Sequence, residues 1–232
     1  MAQLIAGLDA ERIRANLARI VEEIAAAAER GLEMRGGGPP DRPDDPVEVL
    51  AATKYVALED MRVLATAGIR LVGENRAQDL QAKVAVYGEL FEWDFIGQLQ
   101  SRRVRTIMPH VRLIHSVASD SALEQLARHR QLARPGLRLL VEVNIAGEQG
   151  KAGVAPEELG AFVARAPFPV AGLMTMPPLA ADPSASRPWF AALRELAREH
   201  GLEHLSMGTS QDYLVAVEEG ATIVRIGTGL YH

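Results

Sequence analysis

Eight short apolar runs, spaced by segments of helical pattern, dominate the sequence from residue 47 onward. The strand-like runs are Val47–Thr53, Ile69–Gly73, Trp93–Gly97, Arg112–Ser116, Leu137–Asn144, Val170–Thr175, His204–Ser206 and Thr222–Ile226. Between them lie helical patterns such as Leu58–Ala67, Ala77–Tyr87, Ser121–Ala133 and Pro188–His200, with Ser119 or Asp120 placed to cap the third of these. A strand with one wet face alternates apolar and polar residues, whereas a strand buried on both faces is almost continuously apolar. Buried strands separated by helices imply βαβ units and a parallel sheet. Eight of them in about 180 residues fit an α/β fold of one kind: an eight-stranded parallel β/α barrel. An open doubly wound sheet would show polar edge strands, and few of these runs look like edges.

Ahead of the barrel pattern, Asp9 to Arg30 reads as an amphipathic helix. Ile13, Leu17, Ile20, Val21 and Ile24 recur at helical spacing, and its expected role is to cover a core. The stretch Arg35–Pro46 holds three glycines and four prolines, which suit neither a helix nor a central strand, so it reads as an exposed, flexible linker. One helix is too little to fold alone, so residues 1–232 are expected to form one barrel domain with an extra N-terminal helix.

A net charge of −5 offers no basic field for nucleic acid or an anionic membrane. The sequence has no cysteine, which excludes disulfides, thiolate zinc sites and cysteine nucleophiles and fits a reducing compartment. The start, Met1–Asp9, lacks the pattern of a signal peptide, and no apolar run approaches the ~20 residues of a membrane span. The expectation is a soluble, cytoplasmic monomer. No Asp/Glu/His set has metal spacing, and no metal is expected.

A barrel brings every strand-to-helix loop to one mouth, where barrel enzymes place their chemistry. Lys54 closes the first run there. It is one of only three lysines, with Lys83 and Lys151, among many arginines. Lysine can form a Schiff base and arginine cannot; a plain surface lysine is the even-weighted alternative. Glu74 and Asn75 follow the second strand and can orient a ligand or cap the next helix. His115 ends the fourth strand, more plausible as a hydrogen-bonded structural histidine than as a base. The last two loops carry Ser206-Met207-Gly208-Thr209-Ser210 and Gly227-Thr228-Gly229, where barrels often bind phosphate. Glycine allows close approach of an anion to the backbone, and Ser210 stands where a helix over Tyr213–Val217 would begin. Arg225 shares a strand side with Gly227 and, inside a barrel, needs an acceptor. A pyridine nitrogen is one; a salt bridge to a neighbouring strand is the other. A lysine facing a phosphate cradle suits pyridoxal phosphate or a sugar phosphate in a Schiff-base aldolase.

Taken in order, the motifs resemble a known family. They are Ala51-Ala52-Thr53-Lys54, Gly73-Glu74-Asn75-Arg76, Phe95-Ile96-Gly97-Gln98-Leu99-Gln100, and Val143-Asn144-Ile145 with Lys151-Ala152-Gly153. Gly172-Leu173-Met174, Leu205-Ser206-Met207-Gly208 with Ser210 and Asp212, and Val224-Arg225-Ile226-Gly227-Thr228 complete the set. The chain is similar in these to the pyridoxal phosphate homeostasis proteins, single-domain relatives of the alanine racemase N-terminal barrel. The resemblance implies pyridoxal 5′-phosphate held as a Schiff base on Lys54, with Ser210, Gly227 and Thr228 on the phosphate and Arg225 facing the pyridine nitrogen. Asn75 is included among the cofactor contacts. The chain departs from the family pattern at Thr209, where methionine is common, and in its long Gly/Pro linker.

An arginine at the ring nitrogen disfavours its protonation and makes the ring a poorer electron sink than a carboxylate partner would. A racemase also needs an acid or base on each substrate face. In alanine racemases, the resemblance implies, a tyrosine from a following β domain supplies the second; this sequence stops at His232. The expected function is therefore cofactor buffering and delivery, with apo forms of pyridoxal phosphate enzymes as partners. A weak racemase or decarboxylase on amino acids is the alternative. Lys151 is a candidate second amine for handing the cofactor on, or a plain loop lysine.

Overall fold

A computed structural model of the chain describes residues 4–36 and 46–232. The centre of the expected linker, residues 37–45, lies outside the described residues. The eight strands are β1 (Glu48–Ala52), β2 (Leu71–Glu74), β3 (Glu92–Phe95), β4 (Leu113–Val117), β5 (Arg138–Glu142), β6 (Val170–Met174), β7 (His204–Thr209) and β8 (Ile223–Ile226). Each pairs in parallel with the next, and β8 pairs with β1 through Glu48↔Ile223 to Ala51↔Ile226, so the barrel is closed. All eight runs read from the sequence are strands.

The helices are α1 (Ala10–Met34), α2 (Met61–Thr66), α3 (Ala77–Tyr87), α4 (Val104–Ile107), α5 (Asp120–Arg128), α6 (Leu159–Ala164), α7 (Arg187–Glu199), α8 (Tyr213–Glu218) and α9 (Thr228–Tyr231). α2 is shorter than the pattern Leu58–Ala67 predicts, because residues 58–60 form a turn that precedes the helix. Ser119 caps α5 by accepting from the Ala122 N–H. The fourth crossover helix, expected to reach Ala133, breaks after Arg128 into a 3₁₀ turn over Arg130–Leu132.

Two apolar layers result. Side chains facing outward from the strands meet the helices in the main core, which includes Trp93, Phe95, Ile114 and Leu139. A smaller cluster of Leu50, Leu113, Leu140, Met174 and Ile223 fills the barrel interior. This alternation is the strand period of two applied to a sheet buried on both sides.

α1 lies outside the seam where the barrel closes. It buries Ile13, Ile20, Ile24 and Ala27, each large aliphatic residue contributing about 1.5–3 kcal/mol. Its Asn16 amide donates to the carbonyls of Leu230 and His232, and its Glu23 accepts from the Tyr213 hydroxyl. Gly31 lets α1 touch α8: a Cβ there would stand 2.4 Å from the Glu218 carbonyl oxygen. Gly31→Val should lower stability by about 1–3 kcal/mol, since the clash is with backbone that cannot rotate away. Chemical denaturation would check this, and an unchanged midpoint would show that α1 can ride up at no cost.

Candidate functional site

The loops after β7 and β8 are tied together by one hydroxyl. β7 ends in a tight turn at Gly208, whose φ of +88° and lack of Cβ are both required; a Cβ would lie 2.6 Å from that of Ala216. Asp212 holds the turn, accepting at Oδ1 from the Thr209 N–H at 2.8 Å and the Thr209 hydroxyl at 3.1 Å. Asp212, not Ser210, is the residue before α8. Ser210 instead crosses to the next loop, where its Oγ accepts from the N–H groups of Gly227 at 3.1 Å and Gly229 at 3.4 Å. Its hydroxyl proton finds no acceptor among the described residues. The structure thus brings Ser210, Gly227 and the start of α9 at Thr228 to one place.

β1 runs beside this loop. The Cβ position of Gly227 is 3.8 Å from the Ala52 Cβ, and Lys54 stands in the turn two residues beyond Ala52, the last residue of β1. Lys54 is exposed at the rim, its Nζ 4.8 Å from the centre of the Tyr55 ring. Beneath it a buried ion pair fixes the strand end: Lys83 donates to Glu74 Oε1 at 2.5 Å and to the Thr53 carbonyl at 2.7 Å. The Thr53 hydroxyl also donates to Glu74, at 2.7 Å. Glu74 is therefore neither a helix cap nor a ligand contact; its partner is a lysine of α3. Arg76 precedes α3, with no side-chain cap. Asn75 is held by close approach of Gly97, where a Cβ would stand 2.0 Å from the Asn75 carbonyl oxygen. Among the described residues the buried Asn75 Oδ1 has no hydrogen-bond partner, which leaves an acceptor for a ligand.

Arg225 points into the barrel and is 6% exposed. Its Nη1 donates to Ser206 O at 2.7 Å and Ser206 Oγ at 2.5 Å, and its Nη2 to Thr175 O at 3.0 Å and Met176 Sδ at 2.9 Å. The salt bridge considered from the sequence is not found among the described residues; backbone carbonyls take its place. Burial lowers the Arg225 pKa to about 10, against the pull of Asp212 and Glu142, so the guanidinium stays charged at neutral pH.

His115 is fully buried and held at both ring nitrogens. Its Nδ1 lies 2.9 Å from Ser206 Oγ and its Nε2 3.1 Å from Asp94 Oδ2. Burial pushes its pKa below the usual value; Asp94 pulls upward, and Arg225 and Arg112 push down. The unfolded ring titrates near 6.5, so on acidification the unfolded chain takes the proton first and stability falls below about that pH. Urea unfolding at neutral and mildly acid pH should show this loss, and His115→Phe should make the slope shallower. His110, also held low by burial, leaves part of it in place. An identical slope in the variant would mean that His115 is not the group responsible.

Three of the four tyrosines and the third lysine are held by other contacts. Tyr231 donates to the Ala52 carbonyl, Tyr213 to Glu23, and Tyr87 is buried in the core. Lys151 pairs with Glu148 in the loop after β5, which the Asn144 amide clasps at both ends. A cleft of about 110 Å³ between Met176, Pro177, Gly208, Thr209 and Arg225 opens at the mouth. A larger hollow of about 470 Å³, among Arg70, Trp93, His110 and Arg134, lies at the start of the strands, away from these groups. The sequence reading missed the interior carboxylate Asp94. Its signal was a lone charge in the apolar run Trp93-Asp94-Phe95-Ile96.

A closed β/α barrel with this mouth is of the alanine racemase type: the family model described as alanine racemase, N-terminal domain, matches residues 50–232. The pyridoxal phosphate homeostasis protein of Aquifex aeolicus is 39% identical over 93% of this chain and 95% of its own. A crystal structure of an unknown protein from Bifidobacterium adolescentis superposes with a TM-score of 0.83 at 28% identity, covering 99% of this chain and 98% of that one. PipY of Synechococcus elongatus, solved with pyridoxal phosphate bound, is 32% identical with a TM-score of 0.69, over 89% of this chain and all of its own. The chain belongs to the pyridoxal phosphate homeostasis protein family.

Proposed function

We propose that this protein binds pyridoxal 5′-phosphate at the barrel mouth, holds it on Lys54, and serves to buffer and deliver it. The observation that carries the reading is the meeting of Ser210 Oγ with the Gly227 and Gly229 N–H groups, beside the strand end that bears Lys54. In this reading the Ser210 hydroxyl, the N–H groups around Gly227 and the Thr228 hydroxyl receive the phosphate. Arg225 presents an N–H to the pyridine nitrogen; its contact to the Met176 sulfur, a weak acceptor, is the one most easily exchanged. The free Asn75 Oδ1 accepts from a ligand hydroxyl. Lys54 Nζ would be the amine that holds the cofactor through its aldehyde, with water released. When bound, the cofactor supplies that aldehyde and a conjugated ring able to accept electrons. The relative in S. elongatus with the same cofactor bound supports the assignment.

Buffering rather than catalysis is supported by the site's own groups. Of the four tyrosines, Tyr87 is buried in the core, Tyr213 and Tyr231 spend their hydroxyls on Glu23 and the Ala52 carbonyl, and Tyr55 adjoins Lys54 in the chain; a charged Arg225 keeps a proton off the ring nitrogen. A cysteine-free chain suits a cytoplasmic setting. The test is borohydride reduction of the protein loaded with pyridoxal 5′-phosphate, followed by peptide mass mapping. One phosphopyridoxyl group on the peptide containing Lys54 is expected; modification spread over surface amines would overturn the reading. Incubation with amino acids in deuterated water should give no exchange of the α-proton.

A further inference from the structure

A line of polar side chains crosses the barrel interior and ends on Arg225. At the start of the strands Arg112 grips Glu48 with both terminal nitrogens at 2.7 Å, and its Nε donates to Asp94 Oδ1 at 3.0 Å. From Asp94 the line runs to His115 Nε2, from His115 Nδ1 to Ser206 Oγ, and from Ser206 Oγ to Arg225 Nη1. Asp94, His115 and Ser206 are each fully buried.

The direction of the bonds is set from the Asp94 end. A carboxylate has only acceptors, so His115 Nε2 carries the ring proton and gives it to Asp94. Burial holds the ring neutral, so Nδ1 is bare and accepts from the Ser206 hydroxyl. Ser206 Oγ in turn accepts from Arg225, whose guanidinium has only donors. Arg225 has no carboxylate in contact among the described residues. Asp212 and Glu142 act on it only through space, and among the described residues the one side-chain oxygen it touches is the Ser206 hydroxyl, itself held by His115 and Asp94.

We propose that Asp94, His115 and Ser206 are positioning residues for Arg225: their one-way line of hydrogen bonds aims the guanidinium at the ring nitrogen of the bound cofactor. This rests on the reading of Arg225 given above. Without the line, Arg225 keeps its backbone acceptors but loses the contact that fixes the tilt of its plane. The residues then affect recognition of one ring atom, not of the phosphate or the aldehyde.

The test compares two ligands, pyridoxal 5′-phosphate and its 1-deaza analogue, in which the ring nitrogen is a C–H. Equilibrium dialysis gives both affinities for the wild type, Ser206→Ala and His115→Phe, after borohydride trapping has located the wild-type adduct. The wild type should prefer the natural ligand about tenfold or more, the value of a charge-assisted hydrogen bond. In both variants that preference should shrink to about twofold or less, with the affinity for the deaza analogue nearly unchanged. A merely structural role would weaken both ligands alike and leave their ratio intact, which would overturn the proposal. A wild type that does not distinguish the ligands would overturn it as well. Should His115→Phe fail to fold, Ser206→Ala, which deletes a single oxygen, decides the matter alone. Absence of any adduct on Lys54 in the wild type is the separate result that removes the functional reading itself.

Discussion

Lys54→Ala should abolish the covalent adduct with pyridoxal 5′-phosphate and weaken binding by two orders of magnitude or more, about 2.7 kcal/mol. The expectation follows from how the three lysines are placed. Lys83 is buried and committed to Glu74 and the Thr53 carbonyl, and Lys151 is paired with Glu148 after β5. Lys54 is exposed at the mouth, next to a ring and away from any carboxylate partner among the described residues. Its amine can therefore reach an aldehyde without first breaking an ion pair. The phosphate contacts remain in the variant, so weak non-covalent binding should persist and be competed by inorganic phosphate. Lys151→Ala should keep the adduct. A reducible adduct of normal yield in Lys54→Ala would end the assignment of this residue.

Lys83→Met should destabilise the fold by about 3–5 kcal/mol, because it leaves the Glu74 carboxylate buried with no cation. The side chains of this pair are 7% and 0% exposed, so water cannot make up the loss. That is a large part of the 5–15 kcal/mol that holds a typical domain together. The effect has a second expression. Lys83 also binds the carbonyl of Thr53, the residue before Lys54, so the rim should loosen even where the barrel stays folded. Combining Lys83→Met with Glu74→Gln should recover much of the stability, since the amide still accepts from Thr53 without carrying a charge. Guanidinium denaturation of the wild type and of these two variants measures this. A double variant as unstable as Lys83→Met alone would show that the cost is in packing, not in the stranded charge.

The strands were legible because burial on both faces leaves a local mark, an apolar run of four to six residues, that neighbouring sequence is enough to reveal. The mouth was legible for a related reason. A parallel barrel sends every strand end to the same side, so Ser210, Arg225, Gly227 and Thr228 could be grouped without knowing any contact. What lay hidden were pairings across the interior. Ser206 and His115 are 91 positions apart, and nothing local in either run names the other. Scarcity set the three lysines apart in the sequence, but only the third dimension shows that Lys83 serves Glu74. Ser210 was misread as a helix start because its neighbour Asp212 takes that place, which frees the hydroxyl to bridge the two final loops.

The clasp of α1 onto α8 and α9 has a bearing on how the molecule comes into being. α1 is synthesised well before Tyr213 of α8 and Leu230 of α9, on which it docks 190 and 214 positions further along the chain, and β1 likewise waits for β8. Contacts between the extremes of a sequence are costly to close and slow to form. Until α8 and α9 emerge, the apolar stripe of Ile13, Ile20 and Ile24 lacks much of its cover, and a nascent chain halted short of Tyr213 would present that stripe to chaperones or to other chains.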